Sequence, residues 1–390
     1  MRIFISTGEV SGDLQGGLLV EGLHRQAAAS GISLEITALG GDRMADAGAT
    51  LLGNTKGIGS VGLLEALPFI LPTLQIQQKA KKYLRDNPPD AIVLIDYVGP
   101  NETIGRYARK HLPQVPIIYY IAPQHWIWAP LPKYVDSMIA ITDRLLAIFP
   151  EEARFFEERG VSVNWVGHPL LDRMQNAPTR SRAREELGIN PDETAIAIFP
   201  VSRAQEIKYL FPVLFAGAKL IQDKLPETRF LIPLSLPQYR KPVQEQIERH
   251  GLQARILEGK SLEAMAAADL AISKSGTVNL ETALMGVPQV VVYRLSPITL
   301  GFARRVLKYP HPFLSPPNLL LMEPIVPELF QEDATPENVA QKALEFLLNP
   351  ERREKLQHDY QRMRACLGEV GVCDRAAREI LQFAGNTNSE

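Results

Sequence analysis

Short apolar runs recur along the chain, separated by longer stretches in which apolar residues return every three or four positions. The runs Arg2–Ser6, Leu34–Ala38, Ala91–Ile95, Pro116–Tyr120 and Val163–Val166 read as strands, with another at Ser137–Ile141 or in the run just after it. Helical spacing falls on Gln15–Ala29, Leu63–Arg85, Thr103–His111 and Glu151–Arg159. Near Pro169 the alternation begins again. Strands are predicted at Thr194–Phe199, Arg229–Pro233, Ala254–Leu257, Leu270–Ile272 and Gln289–Val292, and helices at Gln205–Leu225, Leu236–His250, Ser261–Ala268 and Thr277–Met285. Amphipathic helical patterns run from Glu337 through Gln382.

Strands rich in Ile, Val and Leu, each followed by a helix, predict parallel sheets buried on both faces. Two such series predict an α/β fold of two Rossmann-like domains whose sheets face across a cleft. The expected boundaries are residues 1–168 for the first domain and 169–345 for the second, with helices over 346–390 that return toward the first. Ligands of such sheets bind beyond the carboxyl ends of the strands, so the loops there are where chemistry is sought.

Composition narrows the field by exclusion. The 390 residues carry 42 Lys and Arg against 44 Asp and Glu, so nothing attracts a nucleic-acid backbone. Cys366 and Cys373 have neither zinc-knuckle spacing nor a nearby His pair, and read as two reduced thiols. The chain opens on a strand pattern without a cationic leader, and no window approaches a spanning helix. A cytoplasmic protein is expected, with contact to a membrane surface still open.

Six loops hold candidate chemistry. "STGEVSGDLQGG" after the first strand places Glu9 and Asp13 where a phosphate loop would stand, with Ser11 between them and Gly12 for a sharp turn. Asp13 also suits an N-cap of the following helix. "LIDYVGPN" puts Asp96 at a strand tip, as a proton acceptor or the start of a turn, with Asn101 close behind. "APQHWIWAP" offers Trp126 and Trp128 as a wall for a sugar or acyl chain, or as a hydrophobic plug. His168 in "VGHP" stands at the domain junction, reaching the cleft or satisfying backbone groups. In the second half, Ser275, Gly276 and Thr277 open a helix after a strand, where amides and dipole favour a diphosphate, and Glu281 follows one turn later for ribose hydroxyls. "IFPVSRAQEI" adds Ser202, Arg203 and Glu206, with Arg203 to brace charge on a leaving group. No Asp-x-Asp pair stands beside these loops, so a metal-independent site with no cofactor is expected.

Taken in order, "GEVSGD", "GIGSVGLLE", "LID" before Asn101, "WIWAP", "VGHPLLD", "SGTVNLE" and "SPPNLLL…PELFQEDATPE" resemble the lipid-A-disaccharide synthases, inverting glycosyltransferases of the GT-B fold. The resemblance covers nearly the whole chain. It implies transfer of 2,3-diacylglucosamine from UDP to the 6-hydroxyl of 2,3-diacylglucosamine 1-phosphate (lipid X), giving a β-1,6 disaccharide. UDP-2,3-diacylglucosamine would lie on Arg203, the Ser275–Thr277 helix start and Glu281. Asp96 falls at the position of the family's proposed general base, and Glu9, Ser11 and Asp13 on the loop that faces the acceptor. The chain departs from the pattern at Val201, at Gly99 and at Gln124–His125. Lipid substrates imply a peripheral membrane contact, for which Val61–Leu74 and Leu300–Leu314 are candidates against ordinary core packing; a homodimer stays open. The alternatives are a related transferase with another lipid acceptor, a UDP-sugar epimerase, and a catalytically silent sugar-nucleotide or lipid binder.

Overall fold

The computed structural model describes residues 1–55, 67–128, 132–200, 204–234, 236–295, 300 and 312–386. The chain divides into two compact units, Met1–Arg173 with Leu367–Glu390, and Met174–Cys366. The helix Pro350–Ala365 thus belongs to the second unit and the helix Val372–Asn386 to the first.

The first unit holds a seven-stranded parallel sheet of β1 (Arg2–Ser6), β2 (Glu35–Gly40), β3 (Thr50–Asn54), β4 (Ala91–Ile95), β5 (Ile117–Tyr120), β6 (Arg144–Ala147) and β7 (Val163–Trp165). Their spatial order is β3-β2-β1-β4-β5-β6-β7. Its connecting helices are α1 (Glu9–Ala29), α2 (Asp42–Asp46), α3 (Leu67–Asp86), α4 (Pro100–His111), α5 (Pro132–Ile141) and α6 (Pro150–Glu157). All five residues of β4 are fully buried, as a central strand covered on both faces requires. The order reverses between β1 and β4, so their carboxyl ends flank the switch point at which such sheets bind ligands.

The second unit begins within α7 (Leu170–Gln175), at Met174, and continues through α8 (Arg180–Leu187). Its sheet contains β8 (Ala195–Phe199), β9 (Arg229–Leu234), β10 (Ala254–Glu258), β11 (Leu270–Lys274), β12 (Gln289–Tyr293) and β13 (Glu328–Phe330). These lie parallel in the order β10-β9-β8-β11-β12-β13. The helices α9 (Ala204–Lys224), α10 (Arg240–His250), α11 (Ser261–Ala267) and α12 (Thr277–Leu284) connect them. Here the switch point lies between β8 and β11.

The strand left between two readings falls on the second, and two edge strands are added. Ser137–Ile141 is the end of α5, and the strand is the run that follows, β6. Val135, Met138 and Ile141 are buried at helical spacing, and Pro132 opens the helix without needing an amide partner. The edge strands β3 and β13 have no counterpart in the apolar pattern: β3 is only partly buried and β13 is three residues long.

The terminal helix Val372–Asn386 is anchored within the first unit. Asp172 accepts the amides of Gly371 (2.6 Å), Val372 (3.1 Å) and Cys373 (2.7 Å) at its start. Arg25 of α1 pairs with Asp374 at 2.8 Å. Gly22 is small for a reason: a Cβ there would stand 2.8 Å from the Cys373 carbonyl oxygen.

Candidate active site

In the first unit the predicted residues gather at the β1/β4 switch point. Asp96 and Tyr97 follow β4 with φ of 44° and 57°, left-handed values that L-residues adopt at a cost of about 1–3 kcal/mol each. Asp96 is exposed, yet its backbone is held on both sides. Its N–H donates to Ile121 O at 2.9 Å, and its carbonyl accepts from Asn101 Nδ2 at 2.7 Å and Tyr119 Oη at 3.2 Å. Asn101, fully buried in the first turn of α4, also donates to Ser6 O (3.2 Å) and Ile95 O (3.0 Å) and accepts from Ser6 Oγ (2.7 Å). One side chain therefore ties the ends of β1 and β4 to the backbone of Asp96. Burial, with Asp96 and Glu102 nearby, pushes the Tyr119 phenol well above its usual range, so it stays a neutral donor.

The glycine-rich loop packs closely against these residues. A Cβ on Gly8 would meet the Tyr97 ring at 2.5 Å, and one on Gly12 would meet Thr7 Oγ1 at 2.0 Å. Glu9 opens α1, and its side chain lies outside the described residues. Ser11 is half-buried. Asp13 is neither a helix N-cap nor open to a substrate. It lies inside α1, fully buried, and accepts the amides of Gly41 (2.9 Å), Met44 (3.2 Å) and Arg43 (3.2 Å) at the start of α2. A carboxylate on three amides at a helix start is a charge-assisted clamp. Asp13 therefore shapes the floor of the loop.

The aromatic candidates form a stack. Trp126, in the short 3₁₀ turn Gln124–Trp126, packs on Phe149 with centroids 5.6 Å apart, and Phe149 packs on His168 at 5.3 Å. Trp128 is half-buried. His168 is buried, its ring Nδ1 accepting from Leu170 N at 3.2 Å and its backbone N–H donating to Leu367 O at 2.8 Å. Burial lowers its pKa to about 3, so the ring is neutral and its proton sits on Nε2. His125 is likewise lowered by burial, with Glu102 opposing, and stacks on Tyr134.

Glu152 was not among the predicted residues. It is fully buried near the start of α6 and accepts N–H bonds from Ala122 (3.1 Å), Ile148 (2.7 Å) and Phe149 (3.2 Å). Burial raises its pKa to about 7 against the three amide bonds, and Asp96 adds to the rise. The one signal in the sequence is an acid in the first turn after "FP", which ordinary capping explains equally well.

In the second unit, Ser275, Gly276 and Thr277 follow β11 at the switch point. Gly276 rather than Thr277 is the N-cap, and its amide donates to Asn279 Oδ1 at 2.7 Å. The next two helix amides have no intrahelical acceptor and point out of the helix end, which suits an anion. Ser275 Oγ donates to Leu314 O at 2.8 Å, and Glu281 is buried one turn along. Two further groups, to which the sequence reading gave no role, build this end. Asn279 Nδ2 donates to Ser273 Oγ (2.7 Å) and Gln289 Oε1 (3.0 Å), and Gln289 Nε2 continues to Tyr360 Oη (3.0 Å). Glu328 accepts from Leu314 N (2.7 Å), Ser315 N (3.0 Å), Ser315 Oγ (2.6 Å) and Asn318 Nδ2 (2.7 Å). Lys274 closes β11 beside Gly276. Ser202 and Arg203 lie outside the described residues, as does the Glu206 side chain. Among the described residues no group of three or more His, Cys, Asp or Glu is placed to hold a metal ion.

Comparison with known proteins follows the same lines. Residues 3–383 match the family model for lipid-A-disaccharide synthetase. The lipid-A-disaccharide synthase of Gloeothece citriformis is 64% identical over 98% of this chain and 100% of its own. That of Synechocystis sp. is 55% identical over 98% of each. In fold, the chain is similar to the crystal structure of Acinetobacter baumannii MurG, with a TM-score of 0.56 at 17% identity over 98% of this chain and 99% of that one.

Proposed function

Because the chain belongs to the lipid-A-disaccharide synthase family, we propose that it moves 2,3-diacylglucosamine from UDP to the 6-hydroxyl of lipid X with inversion at the anomeric carbon. The donor's diphosphate binds the second unit at the α12 start, with Arg203 and Lys274 as its cations. The acceptor hydroxyl meets Asp96 in the first unit. The Asp96 carboxylate takes the hydroxyl proton as the oxygen attacks the anomeric carbon. The bond from that carbon to UDP breaks, and its electron pair passes to the departing phosphate oxygen. Helix dipole and cations stabilise that charge without a metal ion or cofactor.

One observation carries the assignment of the base. Asp96 is exposed at the sheet's switch point while Ile121, Asn101 and Tyr119 fix its backbone in a left-handed conformation. Asp96→Ala should lower turnover by roughly 10²–10⁴-fold. UDP affinity, measured by calorimetry, should stay unchanged. The assay is incubation with both lipid substrates and mass analysis of the disaccharide; parental turnover in the variant removes Asp96 from the reaction.

Fatty substrates require work at a bilayer surface, and we place the enzyme peripherally on its cytoplasmic side. No described helix is long and apolar enough to cross a membrane. Of the two candidate contact segments, residues 61–66 and 301–311 lie outside the described residues. The described remainder of the first segment supports the reading: Ile70, Leu71 and Leu74 of α3 are 50%, 65% and 49% exposed.

A further inference from the structure

We propose that Glu152 is a positioning residue for Asp96, acting through the single peptide group that joins Ile121 to Ala122. The inference rests on Asp96 being the base. The oxygen of that peptide, Ile121 O, accepts the Asp96 N–H at 2.9 Å, and its nitrogen, Ala122 N, donates to Glu152 Oε1 at 3.1 Å. Bonds at the two ends of one amide polarise each other, so an anion on the N–H makes the carbonyl a better acceptor. Ile121 adds a mechanical reason. It is β-branched and sits at φ 61°, a conformation that persists only where surrounding bonds over-determine it. Glu152 supplies that restraint, and its other oxygen takes the amides of Ile148 and Phe149 at the end of β6. A single carboxylate thus fixes the tips of β5 and β6 and, through β5, the backbone of the base at the tip of β4.

The requirement is for the ionised form. A protonated carboxyl keeps one good acceptor oxygen and turns a donor toward groups that are all donors. Burial has already brought the pKa to about 7. The titratable and charged groups facing Glu152 are few. Asp96 faces it from β4, and neutral His168 lies behind Phe149. His125 sits in the turn packed against α6, and Glu151 and Arg154 pair with each other on the exposed side of α6 itself. Among the described residues none of these cations pairs with Glu152 to hold the charge in place at lower pH. Turnover should therefore fall as pH drops through about 7, without loss of UDP binding in the other unit.

The experiment compares kcat against pH for the parent, Glu152→Gln, Glu152→Asp and Asp96→Asn, with UDP affinity by calorimetry and folding by circular dichroism. Glu152→Gln cannot ionise and presents an amide donor to at least one N–H. Its kcat above pH 8 should drop about ten-fold, its acid limb near pH 7 should disappear, and UDP affinity should not change. Glu152→Asp keeps the charge but is one methylene short of reaching all three amides. It should show a displaced limb and a lower kcat, and it decides the matter if the Gln variant does not fold. Parental kcat and limb in either folded variant overturn the inference. A uniform loss of kcat with the limb unmoved also overturns it, because a merely structural residue would behave that way. Asp96→Asn separates the two claims. Retained turnover there defeats the base assignment, whereas lost turnover beside a parental Glu152→Gln profile defeats only the role of Glu152.

Discussion

Glu152 and His168 both engage Phe149: the Phe149 N–H donates to Glu152 at 3.2 Å, and the Phe149 ring packs 5.3 Å from the His168 imidazole. Both groups are buried, and burial disfavours the charged form of each. Their effects on stability run in opposite directions. Glu152 rises from 4.5 to about 7 on folding, so its contribution is complete below pH 4.5 and is lost as pH rises through 7. His168 falls from 6.5 to about 3, so its contribution is complete above pH 6.5 and is lost as pH falls toward 3.

Each group alone gives a slope of about 1.4 kcal/mol per pH unit, and between pH 4.5 and 6.5 the two slopes cancel. The parent should therefore show a flat stability profile in that window as far as this pair is concerned. Glu152→Gln should uncover the His168 slope, with stability rising as pH rises. His168→Asn, which keeps an acceptor for the Leu170 amide, should uncover the opposite slope. Denaturant titrations at several pH values decide it. Parallel profiles for parent and both variants would mean that neither group is desolvated as the structure shows.

Glu328 offers a test confined to the second unit. Four donors converge on it, three of them from the Leu314–Ser315 turn, and Leu314 O in turn receives the Ser275 hydroxyl beside the α12 start. Glu328→Ala leaves two backbone amides and a hydroxyl of the Leu314–Ser315 turn without their partner and removes one of the two bonds of the Asn318 amide, loosening the turn that Ser275 holds. UDP should bind roughly ten-fold more weakly, since lost charge-assisted bonds of this kind are worth about 1.5–3 kcal/mol, only part of which reaches the ligand. Calorimetry with UDP reads this directly. Unchanged affinity would place the diphosphate away from the Ser275–Thr277 helix start.

The sheets were legible because their central strands are uninterrupted apolar runs, and β1 and β4 fall on the predicted residues Arg2–Ser6 and Ala91–Ile95. The edge strands were not, because an edge needs no apolar run: Thr50–Asn54 is half-solvated and contains Gly53. Local pattern also misled at Asp13. An acid shortly after glycine reads as a cap for its own helix, but its three partners, Gly41, Arg43 and Met44, lie some thirty residues away and only the fold brings them near. Glu152 looked like an ordinary first-turn acid because two of its partners, Ile148 and Phe149, lie just before its own helix, and only Ala122, thirty residues away, gives it a longer reach. Glu328 gathers partners from the Leu314–Ser315 turn and Asn318, whereas Asp96 and the Ser275–Thr277 turn announced themselves by following strands directly.

The exposed face of α3 predicts how the protein meets lipid. At 3.6 residues per turn Leu71, Leu74, Lys82 and Arg85 fall within an arc of about 80°, so one stripe is apolar at its start and basic at its end. Leu71 and Leu74 are 65% and 49% exposed, and Lys82 and Arg85 are exposed as well. Such a stripe suits the headgroup boundary of an anionic leaflet, where leucines enter the acyl region and cations stay with phosphates. Burying a leucine contributes roughly 1.5–3 kcal/mol when complete. Serine at Leu71 and Leu74 together should therefore weaken co-sedimentation with vesicles containing phosphatidylglycerol by at least about ten-fold, allowing for shallow insertion. Added salt should weaken the parent on anionic vesicles and have little effect on neutral ones, because the basic end is screened and the apolar end is not. Turnover on detergent-dispersed substrates should persist in the double variant, since neither residue borders Asp96 or the α12 start in the hydrogen-bond network that holds them. Equal vesicle binding by parent and variant would show that this face of α3 does not touch the bilayer.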